Sequence, residues 1–252
     1  MNFAYLNEVF ASIQGEGLRL GERHIFVRFQ GCDVNCCFCD TPASKADLSG
    51  AIGENFCSVQ ISHELSSGRG RVANPVSSAR LSELCSTLIV PGPSVPVLSL
   101  TGGEPLLQHE FLAAWLPQVK GKFRVLLETN GMHADAMRAL TKSVDIVAMD
   151  FKLPSATGLR AFWKEHRQFL IAAAKTELFV KAVVTSATRM EDVLTAARLI
   201  ADVERSIPLV IQPAHGVLKP EPEKLMDFQY AALGIIGDVR VIPQAHKMLN
   251  VP

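Results

Sequence analysis

The 252-residue sequence predicts an α/β fold, an incomplete (β/α)6 TIM-like barrel with a long loop insertion after its first strand. Three observations predict it: short segments rich in Val, Ile and Leu, helix-period segments between them, and one polar stretch that interrupts the alternation. Short runs that are apolar on both faces mark strands buried in a parallel sheet. Strands alternating with helices imply right-handed crossovers, and in a barrel of that kind the chemistry gathers at the C-terminal ends of the strands.

The strands are expected at 24–29 (HIFVRF), 97–101 (VLSLT), 124–128 (RVLLE), 145–150 (DIVAMD), 178–184 (LFVKAVV) and 209–212 (LVIQ), with a seventh, weaker segment at 238–242 (DVRVI). The clearest helix is 188–206. Thr188 and Glu191 have capping-box spacing, and Met190, Val193, Leu194, Ala197, Ile200 and Ala201 form one apolar face. Helical patterns also lie near 108–119, 133–141, 160–175 and 223–233. Residues 42–78 break the rhythm with many Ser, Gly, Ala and Asn residues, and read as a long excursion with at most one short helix. The chain shows no internal repeat and no second domain, so 1–252 is expected to be one domain carrying an insertion at about 42–78.

Composition excludes several classes. There are 25 basic and 25 acidic residues and no basic tract, so the electrostatic footprint of a nucleic-acid binder is missing. No apolar run is long enough to span a bilayer, and the N-terminal segment lacks the basic and apolar regions of a secretory signal. Four of the six cysteines, Cys32, Cys36, Cys37 and Cys39, fall within eight residues, whereas a disulfide framework spreads its cysteines out. Crowding of this kind points to metal or cluster ligation in a reducing cytoplasm. Cys57 and Cys85 read as ordinary core residues.

The segment GCDVNCCFCDT follows the first strand and reads Cys32-x3-Cys36-x2-Cys39, with the aromatic Phe38 before the last cysteine. Three thiolates on one loop can hold three irons of a 4Fe-4S cluster and leave the fourth open for the amino and carboxylate groups of S-adenosyl-L-methionine. Structural zinc sites need four ligands in two separated pairs, and no second pair exists. Cys32-x4-Cys37 is an alternative spacing; the distance to Cys39 and the place of Phe38 favour Cys36.

The cysteine motif, together with Thr101-Gly102-Gly103-Glu104-Pro105 after the second strand, resembles the radical S-adenosylmethionine superfamily, whose barrel type this fold would be. Five further stretches resemble one family within it, the 7-carboxy-7-deazaguanine synthases. They are Ser12-Ile13-Gln14-Gly15-Glu16-Gly17, Phe26-Val27-Arg28-Phe29, Cys39-Asp40-Thr41, Glu128-Thr129-Asn130-Gly131 and Gln244-Ala245-His246-Lys247. The resemblance covers most of the chain except 42–78.

That resemblance implies conversion of 6-carboxy-5,6,7,8-tetrahydropterin to 7-carboxy-7-deazaguanine with loss of ammonia, begun by hydrogen abstraction and assisted by Mg2+. It further implies adenosylmethionine contacts from Phe38, Gly102, Gly103, Glu104, Thr129, Asn130, Lys152 and Gln212, and Mg2+ at Thr41. For the pterin it implies Gln14, Gly15, Glu16, Arg28, Thr101, His246 and the carboxylate of Pro252. A forked guanidinium at Arg28 suits a carboxylate. The tail is expected to be anchored by Met248, Leu249 and Val251, and His109, His133 and His215 are read as structural or surface residues. A flavodoxin or ferredoxin electron donor and a homodimer are implied too. Two readings compete: an activase acting on a glycyl-radical partner protein, which shares the cysteine spacing, and a non-enzymatic iron–sulfur or zinc module. The first does not use the Gln14–Gly17 turn, and the second leaves Gly102–Pro105 unexplained.

Overall fold

A computed structural model describes residues 2–39, 41, 55–64 and 67–252. Its main sheet is built on β2 (Leu6–Ile13), β3 (Arg23–Phe29), β4 (Phe56–Gln60), β5 (Arg69–Ala73), β7 (Val97–Gly102), β8 (Arg124–Thr129), β9 (Ile146–Phe151), β10 (Glu177–Val184), β11 (Leu209–Pro213) and β12 (Val239–Val241). Two short strands, β1 (Phe3–Ala4) and β6 (Val76–Ser77), pair separately. The ten-stranded order is β5-β4-β2-β3-β7-β8-β9-β10-β11-β12. From β3 to β12 every neighbouring pair is parallel. β12 and β5 end the sheet at opposite sides, so the barrel is open.

The helices are α1 (Ser78–Thr87), α2 (His109–Val119), α3 (Ala134–Leu140), α4 (Pro154–Thr157), α5 (Trp163–Ala173), α6 (Met190–Val203), α7 (Pro222–Leu233) and α8 (Ala245–Leu249). Leu81, Phe111, Trp115, Phe169, Leu170, Ile200 and Phe228 from these helices are buried against the outer face of the sheet. Each apolar side chain withdrawn from water in this way stabilises the fold by about 1.5–3 kcal/mol.

The strand period of two sorts the inner face. Leu126, Ile146, Ala148, Phe179 and Val210 point inward near the strand starts and pack as a small apolar plug. Two residues further along each strand the same face carries Glu128, Asp150, Lys181 and Gln212. The barrel is thus filled at its N-terminal end and polar at its C-terminal end.

Three expectations are corrected. The stretch 42–78 is not wholly an irregular excursion. Its described part contains β4 and β5, which extend the sheet beyond β2, and Ser78 already begins α1. Strand β2, antiparallel to β3, was not expected at all. The capping box at α6 is not made: Thr188 Oγ1 accepts from the Thr185 amide at 2.7 Å and closes the preceding turn, and the helix starts after Arg189. Thr41 is described, whereas Asp40 and residues 42–54 lie outside the described residues. Among the described residues no helix is long and apolar enough to cross a membrane.

Candidate active site

A cavity of about 260 Å3 opens at the C-terminal ends of the parallel strands. Part of its wall is formed by the cysteine loop. Cys32, Cys36, Phe38, Cys39 and Thr41 line it. Cys32 Sγ donates to the Val34 carbonyl at 3.3 Å, and Cys39 Sγ lies 3.9 Å from Thr41 Oγ1. Burial pushes the Cys32 thiol up to about 11. Cys37 is turned out of the cavity: it is exposed, and its thiol donates to the Ala156 carbonyl at 3.2 Å. Cys57 and Cys85 are buried in the core, and none of the six cysteines is in a disulfide.

The loop after β7 is locked to the cysteine loop by its backbone. The Gly103 amide donates to the Phe29 carbonyl at 3.0 Å, and the Glu104 amide to the Gly31 carbonyl at 2.7 Å. Gly102 has φ +123°, and a Cβ there would sit 2.4 Å from the Phe29 oxygen. Only glycine allows that approach. The Glu104 side chain is fully buried and lies outside the cavity wall. Its carboxylate accepts from the Leu106 amide (3.0 Å), Thr129 Oγ1 (2.9 Å) and the Asn130 amide (2.7 Å). Glu104 therefore ties the ends of β7 and β8 together, while Gly102, Gly103, Thr129 and Asn130 face the cavity. Asn130 Nδ2 also donates to Asp33 at 2.9 Å, and His133 Nε2 lies 3.0 Å from the same carboxylate, so β8 holds the cysteine loop from the other side.

The same cavity is lined by Gln14, Gly15, Glu16, Arg28, Thr101, His246 and Pro252. Gln14 Nε2 and Thr101 Oγ1 each donate to Glu128, at 2.9 and 2.8 Å. Arg28 donates through Nε to Glu8 at 3.1 Å, and its guanidinium lies 5.6 Å from the Phe10 ring centre. The tail is seated directly on the Gln14–Glu16 turn. The Ala245 amide donates to the Gly15 carbonyl at 2.9 Å, and Gln244 Nε2 to Glu16 at 2.8 Å. A Cβ on Gly15 would lie 2.3 Å from His246 Nδ1. Two of the three expected apolar anchors are corrected: Met248 and Leu249 are 71% and 56% exposed, whereas Val251 is half-buried, and polar contacts seat the tail.

A chain of alternating charges runs along the cavity wall. Glu16 pairs with Lys181, Lys181 lies 3.9 Å from Asp150, and Asp150 accepts from Lys152 at 2.6 Å. Lys152 in turn lies 5.8 Å from the Phe38 ring centre. Burial alone would raise the Glu16 pKa. The Lys181 charge and hydrogen bond, aided by Gln244, overcome that and hold it at about 2. Burial alone would lower the Lys152 and Lys181 pKa values; the neighbouring carboxylates raise both. Asp150 Oδ1 and Gln212 Oε1 are buried without a hydrogen-bond partner among the described residues, and both residues line the cavity.

Residues 26–202 match the Radical SAM superfamily. The chain is 40% identical over 254 residues to the 7-carboxy-7-deazaguanine synthase of Geobacter sulfurreducens, with 98% of this chain and 97% of that protein covered. The chain belongs to the 7-carboxy-7-deazaguanine synthase family of the radical SAM superfamily. The Archaeoglobus fulgidus member is 32% identical, with 98% and 99% covered. The crystal structure of QueE from Escherichia coli shares the fold, with a TM-score of 0.57 at 20% identity over 96% of this chain and 94% of that one.

Membership in this family implies a 4Fe-4S cluster and adenosylmethionine, and the residues present fit both. The donors on the cavity wall are three soft thiols from one loop, the set a cluster with one open iron requires. The glycine backbone edge and the residues of the two orphaned acceptors line the same cavity.

Asp150 and Lys181 were not anticipated as lining residues, and Glu128, Gln244 and Lys247, quoted only within resembling stretches, were given no contact. His215, expected to be structural or surface, also lines the cavity. His109 and His133 line a separate surface hollow. The inward register of each strand was the available signal, since Glu128, Asp150 and Lys181 continue the face begun by Leu126, Ala148 and Phe179.

The Glu16–Lys181 pair gives a pH-dependent prediction. A carboxylate held below its usual 4.5 contributes stability that is complete above that pH and is lost as pH falls toward 2. Lys181→Met leaves Glu16 buried without its cation, so its pKa rises and its contribution reverses sign. The destabilisation measured by urea unfolding should therefore be larger at pH 7 than at pH 4, by about 1–2 kcal/mol. Equal losses at both pH values would show that the pair contributes no net charge stabilisation.

Proposed function

We propose that the chain, as one domain spanning 1–252, converts 6-carboxy-5,6,7,8-tetrahydropterin to 7-carboxy-7-deazaguanine with loss of ammonia, a step of 7-deazapurine (queuosine) biosynthesis. The observation that carries this reading is that one cavity is lined both by the three cysteines and by Gln14, Glu16, Arg28, His246 and Pro252. The overall change is redox-neutral, because ammonia leaves and no net electrons are gained or lost.

Cys32, Cys36 and Cys39 would hold the cluster, and Phe38, Gly102, Gly103, Thr129, Asn130, Lys152 and Gln212 would hold adenosylmethionine on its open iron. Bound there, the two supply reductive cleavage of a sulfonium and abstraction of a hydrogen atom from carbon. Glu104 acts from beneath, keeping Thr129 and the Asn130 amide in place. Arg28 presents its guanidinium to the substrate carboxylate, with Nε already fixed by Glu8. Gln14, oriented by Glu128, and Glu16, kept ionised by Lys181, offer an amide oxygen and a carboxylate to the amino and ring N–H groups of the pterin. Gly15, Thr101, His246 and Pro252 close the pocket around it. Thr41, beside Cys39, is the proposed Mg2+ contact, a hard oxygen suited to a cation that keeps several waters. A flavodoxin or ferredoxin delivers the electron, the protein works as a homodimer, and six cysteines without a disulfide suit the cytoplasm.

The decisive experiment incubates anaerobically reconstituted protein with adenosylmethionine, dithionite, Mg2+ and the carboxytetrahydropterin, followed by mass spectrometry. The expected result is a product lighter by the mass of ammonia. Cleavage of adenosylmethionine with the pterin recovered intact would refute the assignment. Arg28→Lys keeps the charge and loses the fork, and should weaken pterin binding by about 1–3 kcal/mol. Calorimetry should find adenosylmethionine binding nearly unchanged; equal losses for both ligands would show that Arg28 supports the fold or the cofactor.

A further inference from the structure

We infer that the β4–β5 hairpin supports the substrate site, with Arg69 as a positioning residue that keeps Arg28 electrostatically open to an anionic substrate. The inference rests on the proposal that Arg28 receives the pterin carboxylate.

Arg28 does not stand alone at the cavity wall. Its Nε donates to Glu8 Oε2 at 3.1 Å, and the other oxygen of that carboxylate accepts from Arg69 Nη1 at 2.9 Å. Both guanidiniums lie 5.6 Å from the centre of the same ring, Phe10, which stacks on Phe26 at 5.2 Å. Glu8, Phe10, Phe26 and Arg28 come from the first antiparallel pair of the barrel, whereas Arg69 comes from the insertion. The hairpin is fixed to β2 by side chains as well as by the ladder. Gln60 Oε1 accepts from the Ala11 amide at 3.0 Å, and Asn74 bonds both the amide and the carbonyl of Leu6, at 3.1 and 2.7 Å. Gln60 is also the register partner of Arg69. The arrangement sets Arg69 against Glu8 on an edge strand that packs the half-buried Val72 against the core.

The charges explain why a second arginine belongs there. Arg28 paired with Glu8 alone is a neutral couple, and Glu128 adds a further carboxylate beyond Thr101. A neutral couple offers an incoming carboxylate little attraction, and repulsion from Glu8 opposes what remains. Arg69 takes the second Glu8 oxygen, offsets its charge and leaves the Nη edge of Arg28 cationic toward the cavity. Arg69 is itself about half exposed, so its effect is moderated by solvent.

The test uses the full-length, cluster-loaded protein, with pterin KM and kcat measured beside the calorimetric Kd. Arg69→Ala should raise KM and Kd about tenfold and leave kcat within about threefold, a split that general loosening of the fold does not produce. Arg69→Lys should stay within about threefold of the parent in KM. Adding Glu8→Gln to Arg69→Ala removes the charge that Arg69 offsets while keeping an acceptor for Arg28 Nε, and should restore KM to within about threefold. An unchanged KM in Arg69→Ala would overturn the inference, and so would a double variant as weak as the single one. Arg28→Lys, run in parallel, separates the two levels. If it weakens pterin binding and Arg69→Ala does not, this inference alone fails. If Arg28→Lys has no effect, the carboxylate assignment fails and takes the inference with it.

Discussion

Cys32→Ala, Cys36→Ala and Cys39→Ala should each abolish turnover, whereas Cys37→Ala should retain it. The four thiols sit within eight residues, and spacing leaves Cys36 and Cys37 in competition for the second position. Geometry separates them. Cys32, Cys36 and Cys39 face the cavity that also holds the Gly102–Gly103 edge, while the Cys37 thiol points to the Ala156 carbonyl outside it. A site-differentiated cluster has one protein ligand for each of three irons and none in reserve, so losing one thiolate destabilises the whole assembly. Reconstituted parent protein should hold about four irons, with a reduced spectrum that changes on adding adenosylmethionine. The three cavity variants should lose that iron; Cys37→Ala should keep it. An inactive, iron-poor Cys37→Ala beside an active Cys36→Ala would reverse the assignment.

The six main parallel strands were legible because each is short and apolar on both faces, and all but the first are followed by a helix-period segment; these are local signals. Strand β2 was not, because Asn7, Glu8 and Ser12 interrupt its apolar residues and its partner β3 is antiparallel. The hairpin β4–β5 was hidden for a stronger reason. RGRVA turns a single apolar side chain of any size, the half-buried Val72, toward the core, and its place depends on Gln60 and Asn74 reaching back to β2 across 49 and 68 residues. The same contrast holds in the cavity. The cysteines and Gly102–Gly103 announce themselves by spacing within a few residues. Lys181 reads as one polar residue in the run LFVKAVV, and its partner Glu16 is 165 residues away. The Thr188–Glu191 spacing illustrates the opposite error, a local signal that the Thr185–Thr188 turn overrode.

Removing residues 245–252 should lower kcat/KM for the pterin at least about a hundredfold while leaving reductive cleavage of adenosylmethionine in place. Terminal segments are usually frayed and dispensable. Here the segment is a wall of the cavity: His246, Lys247 and Pro252 line it, and Lys247 Nζ donates to Gln244 at 2.8 Å. Its seat is polar and local. Ala245 is bonded to Gly15, Gln244 to Glu16, and the Val251 amide to the His246 carbonyl at 3.2 Å, while Met248 and Leu249 stay exposed. Little apolar area leaves water on docking, so deletion should cost little global stability. It should instead release the Gln14–Glu16 turn and admit water to the pterin site, and displacements of about 1 Å at such a site can cost a hundredfold in rate. The cysteine loop and the Gly102–Gly103 edge are held by Phe29, Gly31, Asn130 and His133, none of them on the tail. A gentler variant tests the same contact without shortening the chain. Gly15→Ala places a methyl where His246 now sits, 2.3 Å from Nδ1, and must push the tail outward. It should raise pterin KM in the same direction with a near-normal melting temperature. If the tail only covers the barrel, both variants should instead melt lower and bind the pterin normally. Unchanged pterin affinity in the deletion would sink the claim that this segment reads the substrate.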